Sequence, residues 1–257
     1  MQARFERLTD DRWEVIKPFL NWQRSRKIDL RDVFDAILWI TRTGAQWRNL
    51  DSRFPPWSAV YYYFYRWSRD GTLERVNLAL NMLERKQVER EPTPSLGLVD
   101  SQSVKLAPMI FEHRGTDGNK WVNGRKRHVV VDVLGRIWKT AVHAANIHDS
   151  PGGLCLLDGL EETMPRLEKI MGDKSYRGTF RDAVEKTDFS FEVPQRDESV
   201  KGFVVEAKRW VVERTFAWLN FYRRVAMDYE HTPRSAQTFL ILANISMVIW
   251  RINFESI

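Results

Sequence analysis

Apolar residues recur at helical spacing through the first ninety residues, then give way to short β-like runs. Residues 8–20, LTDDRWEVIKPFL, predict a short helix, with Thr9 or Asp10 as cap and acidic residues in its first turn. Leu30, Val33, Phe34, Ile37, Leu38 and Ile40 predict a second helix over 29–42, capped by Asp29 and ended by Gly44. Pro55-Pro56 breaks the chain, and a helix restarts near Trp57 or Ser58. It carries Tyr61, Tyr62, Tyr63, Phe64, Tyr65 and Trp67, together with Arg66 and Arg69. Aromatic residues in unbroken succession cover every face of a helix, so some are expected to be exposed or to meet a partner. A fourth helix is predicted over about 73–89. The Pro-containing break REPTPS, residues 90–95, sets an expected boundary between two domains, 1–90 and 91–257.

Beyond that break the period changes. SLGLVDSQSV predicts a strand, and KRHVVVDVLGRIWKTAVHAA a β-hairpin turning near Leu134-Gly135. Residues 151–164 are expected to be helical, EKIM to be a short strand, 178–187 a helix and FSFEVPQ a strand. A helix is expected from about Val200 to Trp218 and an apolar one over roughly 235–252. Strands interleaved with helices and a hairpin predict an α/β domain built on a mixed sheet, preceded by a small all-helical domain.

Composition narrows the class. Of 257 residues, 43% are hydrophobic and 29% charged, which is a globular balance. The net charge is +6, and residues 1–90 hold 17 Lys and Arg against 12 Asp and Glu, so most of the excess lies in the first third. A basic excess favours an anionic partner such as nucleic acid. One cysteine, Cys155, excludes an intrachain disulfide and Cys-rich zinc sites. The opening MQARFERLTDDRW lacks the apolar core of a signal peptide, and TFLILANISMVIW is short for a membrane span and interrupted by Asn244 and Ser246. The expected compartment is the cytoplasm.

Three carboxylates stand out by position. Asp100 is expected at the end of an apolar strand in GLVDSQSVK, Asp173 just past EKIM in MGDKSYRG, and Glu213 on a helix in KRWVVERTFAWL. Acids at strand ends face the crevice where α/β proteins bind ligands. On a helical wheel Val205, Val212 and Leu219 form a buried stripe, with Arg209, Glu213 and Asn220 beside it, so Glu213 falls at the border of core and solvent. Hard oxygen donors suit Mg²⁺, and two such ions can clamp a scissile phosphate. Taken singly, each acid also has an ordinary reading, as a turn residue, a cap, or the partner of Arg209 one turn away.

LVDSQSVK, GRKRHVVVDVLGR, ANIHDS, GDKSYRG and RWVVERTFAWLNFYRR together resemble DDE-type transposases of bacterial insertion sequences, in the branch around insertion sequence 5. LTDDRWEVIKPFL and the GAQWRNL and FPPWSAVYYYFYRW stretches resemble that branch's N-terminal domain, so the likeness covers nearly the whole chain. The resemblance implies a ribonuclease-H-like catalytic domain with Asp100, Asp173 and Glu213 as catalytic, metal-holding acids. It implies two Mg²⁺ ions, with Mn²⁺ able to substitute. It also implies that the partner is double-stranded DNA, both transposon ends and target, bound by a homodimer or higher oligomer in the bacterial cytosol, associated with the nucleoid. Around the last acid the family sets Tyr, Arg, Glu and Lys at fixed intervals. Arg209 and Glu213 match, whereas the Tyr and Lys positions hold Glu206 and Asn220. Arg223 or Arg224 is expected to supply the missing charge.

Lys105, Arg125, Lys126 and Arg127 flank the predicted catalytic strands and are expected to hold phosphates, or else to form a solvated face. Trp210 and Trp218 have two readings, base stacking and core packing. His148-Asp149 lacks a nucleophile beside it and reads as structural. Residues 61–67 are expected to act as a recognition helix, with Arg66 and Arg69 reaching DNA. Two rival functions stand beside the transposase. One is a catalytically inactive, transposase-derived DNA-binding regulator. The other is a phosphatase similar to haloacid-dehalogenase-like enzymes, which needs a second Asp where Gln102 stands.

Overall fold

The computed structural model of the protein describes residues 5–20, 27–194 and 209–254. Val200–Lys208 of the expected helix, with Val205 and Glu206, and the side chain of Arg209 lie outside the described residues.

Four helices come first: α1 (Asp10–Ile16), α2 (Leu30–Thr43), α3 (Trp57–Trp67) and α4 (Thr72–Gln87). The ends of α2 follow its sequence. Asp29 accepts a hydrogen bond from the Arg31 backbone N–H at 2.8 Å, and Gly44 closes the helix at φ 72°. Helix α3 buries Val60, Phe64 and Trp67 and leaves Tyr61, Tyr62 and Tyr65 exposed, as an all-aromatic run requires.

Among the described residues, six strands form one mixed sheet: β1 (Leu96–Lys105), β2 (Gly115–Asp117), β3 (Val122–Val131), β4 (Ile137–Ala144), β5 (Lys169–Met171) and β6 (Ser190–Glu192). Antiparallel β3 lies along one edge of β1, and parallel β5 along the other, followed by parallel β6. Strands β4 and β2 share the outer edge of β3. The β3–β4 turn falls at Gly135, as expected, at φ 78°. A side chain there would strain the backbone and strike Thr215 Oγ1 at 2.7 Å. Strand β2 is a sequence miss, because three residues carry no readable period.

Helices α5 (Asp149–Gly152), α6 (Leu160–Thr163) and α7 (Thr179–Val184) cover one face of the sheet. The expected helix over 151–164 is instead two short helices joined by a 3₁₀ turn over Gly153–Leu156. Gly159, left-handed at φ 63°, interrupts the ladder. Helices α8 (Arg209–Leu219), α9 (Arg223–Ala226) and α10 (Pro233–Ile249) follow. Helices α8 and α10 pack on the opposite face, and α2 and α4 pack against α10 in the same apolar core.

Asn244, the interruption in the apolar run of α10, joins these layers. Its Nδ2 donates to Asn77 Oδ1 at 2.7 Å and to Asn81 Oδ1 at 3.0 Å. Both of those amides donate to the Ile137 carbonyl, and the Ile137 N–H donates to Asn244 Oδ1. Buried amides that satisfy one another in this way specify register at little net cost.

Candidate active site

Leu98 of β1 pairs with Met171 of β5 in parallel register, and Asp100 and Asp173 lie two residues further along their own chains. Side chains alternate along a strand with a period of two, so both acids share the face of Leu98 and Met171. Gly172 allows the approach, since a side chain there would meet Val99 Cγ1 at 2.6 Å. Asp100 accepts from the Ser101 backbone N–H at 2.7 Å. Asp173 caps the 3₁₀ turn Lys174–Tyr176, accepting from the Ser175 N–H at 2.9 Å. Both carboxylates are half-buried and line one small cleft.

The third wall of that cleft is α8. Val212 lines it, and Glu213 stands next in sequence, exposed, while Val212, Phe216 and Leu219 are buried. The structure therefore brings Asp100 and Asp173 together and sets Glu213 on the adjoining helix. Among the described residues, no three His, Cys, Asp or Glu side chains converge closely enough to hold one ion.

The reverse face of the same strands carries a polar network that the sequence did not reveal. Ser101 Oγ donates to Asp149 Oδ1 at 2.8 Å, and Lys126 Nζ reaches the same oxygen at 2.9 Å. Burial would raise the Asp149 carboxyl, but the Lys126 and Ser101 hydrogen bonds outweigh it and hold it below its ordinary value. Ser103 donates to Asp117 at 2.5 Å. His143 Nδ1 lies 2.8 Å from the Ala144 carbonyl, which can only accept. In the neutral ring, His143 Nε2 must then accept from His128 Nε2–H, 2.7 Å away. His128 Nδ1 in turn accepts from the Tyr176 hydroxyl at 2.6 Å. Both imidazoles are held neutral chiefly by burial. The Tyr176 hydroxyl is pushed well up by burial and then by Asp100, Asp149 and Asp173. The chain thus ties the turn that begins at Asp173 to strands β3 and β4.

The expected phosphate contacts divide. Lys105 and Arg223 are exposed, as are Arg66, 3.7 Å from Asp70, and Arg69, which lies over the Tyr65 ring. Arg125, Lys126, Arg127 and Arg224 are buried, which corrects the expectation that they face phosphate. Arg125 pairs with Asp228 at 3.1 Å and donates to the carbonyls of Glu112, Glu230 and His231. Arg127 donates to Gln102 Oε1 and to the Val225 carbonyl, and Arg224 pairs with Glu230. Their donors are spent inside the protein. Asp228, the counter-charge of Arg125, lies 103 residues away in sequence, and no local signal pointed to it. His148 caps α5, in keeping with a structural reading.

Among the described residues, no helix is long and apolar enough to cross a membrane. A family described as "Transposase DDE domain" matches residues 91–249, and one described as "Putative transposase of IS4/5 family" matches residues 8–77. An "Uncharacterized protein y4sN" of Sinorhizobium fredii is 36% identical over 73 residues, 27% of this chain and 58% of that protein. A "Putative transposase for insertion sequence element IS402" of Burkholderia cepacia is 27% identical over 135 residues, 49% of this chain and 63% of that protein. The chain thus spans less than two thirds of the length of either curated relative. A mixed sheet behind a helical layer, consistent with a ribonuclease-H-like domain, and a match over most of the sheet-bearing region lead to one assignment: this chain belongs to the DDE transposases of the insertion sequence 4/5 type.

Proposed function

We propose that the protein binds the terminal inverted repeats of an insertion sequence and catalyses metal-dependent cleavage and transfer of DNA strands. The observation that carries this reading is the placement of Asp100 on β1 and Asp173 just past its parallel neighbour β5, both lining a cleft walled by α8 beside Glu213. Asp100, Asp173 and Glu213 are the residues that would hold two Mg²⁺ ions, or Mn²⁺ in their place. The donor chemistry fits, since carboxylates offer the hard oxygens these ions prefer. Glu213 is exposed on α8, next in sequence to the cleft-lining Val212. When bound, the ions acidify water or a 3′-hydroxyl and stabilise the departing oxygen.

The chain's own residues orient and select. Backbone N–H groups of Ser101 and Ser175 fix the Asp100 and Asp173 carboxylates. Hydrolysis at the end of the element leaves a 3′-hydroxyl, which then attacks a target phosphodiester. Residues 1–90 form the DNA-binding domain in this reading, with exposed Tyr61, Tyr62, Tyr65, Arg66 and Arg69 on the recognition helix α3. Lys105, Arg209 and Arg223 extend the phosphate contacts, while Arg125, Lys126, Arg127 and Arg224 hold the scaffold. Two ends must be joined, so a homodimer or higher oligomer acts on the DNA, in the bacterial cytosol.

Linear DNA carrying the inverted repeats that flank the protein's gene tests the reading. Nicks at the repeat ends are expected only with Mg²⁺ and are lost in Glu213→Gln and Asp100→Asn. Tight end binding without cleavage under any metal would replace the enzyme with a DNA-binding regulator.

A further inference from the structure

Three arginines gather where the β3–β4 turn meets α8 and the end of α10. The guanidinium carbons of Arg136, Arg214 and Arg251 lie 5.9, 4.3 and 4.3 Å from the centre of the Trp218 ring. Arg214 also lies 4.4 Å from the Trp210 ring, so α8 carries an i, i+4, i+8 stripe of Trp210, Arg214 and Trp218.

Among the described residues, one carboxylate pairs with these arginines. Glu84 pairs with Arg136 through Nε and Nη2. Among the described residues, no acid pairs with Arg214 or Arg251. Arg136 is only 2% exposed, yet its Nη1 is buried without a hydrogen-bond partner. Arg214 Nε is buried and unpartnered as well, although one of its terminal nitrogens reaches the Leu134 carbonyl at 3.3 Å. Arg251 is held below the usual guanidinium range first by burial and then by Arg136, with Glu84 pulling the other way. A guanidinium keeps its proton at neutral pH, so this crowding favours a bound anion. A tetrahedral oxyanion suits it, since planar forks meet phosphate oxygens two at a time.

We propose that Arg136, Arg214 and Arg251 form a phosphate-binding site, filled in the working protein by a backbone phosphate of the bound DNA. The DNA part rests on the transposase reading; the oxyanion site does not. Arg214 follows Glu213 directly on α8, so a strand anchored by this phosphate runs beside the carboxylate cleft. Trp210, 43% exposed at the edge of the stripe, offers a face on which a neighbouring base stacks.

The test uses the full chain, with Arg136 left in place because its loss would orphan Glu84. Wild type, the double variant Arg214→Gln with Arg251→Gln, and the charge-retaining Arg214→Lys are titrated with inorganic phosphate, then with a terminal-repeat duplex across a salt series. Circular dichroism and melting temperature verify that each variant is folded. Phosphate is expected to raise the melting temperature of wild type and leave the double variant unmoved. Duplex affinity of the double variant should fall about tenfold or more at low salt. Its slope of log affinity against log salt should shrink by about one. Arg214→Lys should recover part of both. Equal responses of wild type and a folded double variant to both probes would overturn the site. Phosphate binding in a wild type that binds no duplex would remove the DNA reading and leave the oxyanion site standing.

Discussion

Two basic clusters of similar size stand in this molecule, and they are built to opposite ends. On β3, Arg125, Lys126 and Arg127 are buried, and their donors end on Asp228, Asp149, Gln102 and backbone carbonyls. Around Trp218, Arg136 pairs with Glu84, and among the described residues no acid pairs with Arg214 or Arg251, with two buried N–H groups left over. Exposure does not separate the clusters cleanly, because Arg136 is as buried as Arg125. The difference is the count of counter-charges. A closed cluster holds the fold together; one left short of anions is prepared for something from outside.

The sharpest way to break this comparison is to open the closed cluster. Asp228→Ala leaves Arg125 buried and uncompensated, and Arg127 loses the nearby charge that offsets its burial. Removing one partner of a buried pair costs about 3–5 kcal/mol, so the urea midpoint should fall sharply. The same kind of truncation in the open cluster should behave differently. Arg251→Gln relieves repulsion, and its melting temperature should hold or rise even as phosphate binding weakens. A large loss of stability there would show that the second cluster is structural too.

Smaller in effect is the pH response of the face behind the carboxylates. Burial, and then His143, holds His128 down to about 3, against about 6.5 in the unfolded chain. Between those values the unfolded state binds the proton and the folded state does not, so stability falls as pH drops below 6.5. Asp35 works the other way. Burial raises it from 3.8 to about 6, so in that window the folded state holds the extra proton and stability falls as pH rises. His128→Asn should therefore flatten the loss of melting temperature between pH 7 and 5, and an unchanged profile would remove the imidazole chain as its cause. Smallest is Asp29→Ala, which deletes the cap on α2 and should cost about 1 kcal/mol in chemical denaturation.

The legible parts of the fold were those written locally. Asp29 and Gly44 mark α2 because capping and left-handed turns depend on residues at the helix ends. Asp173 was legible as an acid just past a strand, whereas Asp100, expected at a strand end, lies in the middle of β1; their adjacency depends on the parallel register of β1 with β5, which no local pattern encodes. The basic run on β3 misled for a related reason. Alternation sends Arg125 and Arg127 to one face and Lys126 and His128 to the other, where Asp228 meets Arg125 and Asp149 meets Lys126. The Arg136, Arg214 and Arg251 group is scattered over more than a hundred residues and becomes a group only after folding.

The asparagine ring at Asn244 also bears on synthesis. Helix α4 and the start of β4 leave the ribosome well before α10, which completes their polar contacts and covers their apolar faces. Until residue 249 has emerged, the early helices and the sheet edge wait with uncovered surface, which chaperones would be expected to shield and proteases to find. A premature stop before residue 233 would thus yield a chain lacking the closing piece of its core, degraded rather than accumulated as a competing fragment.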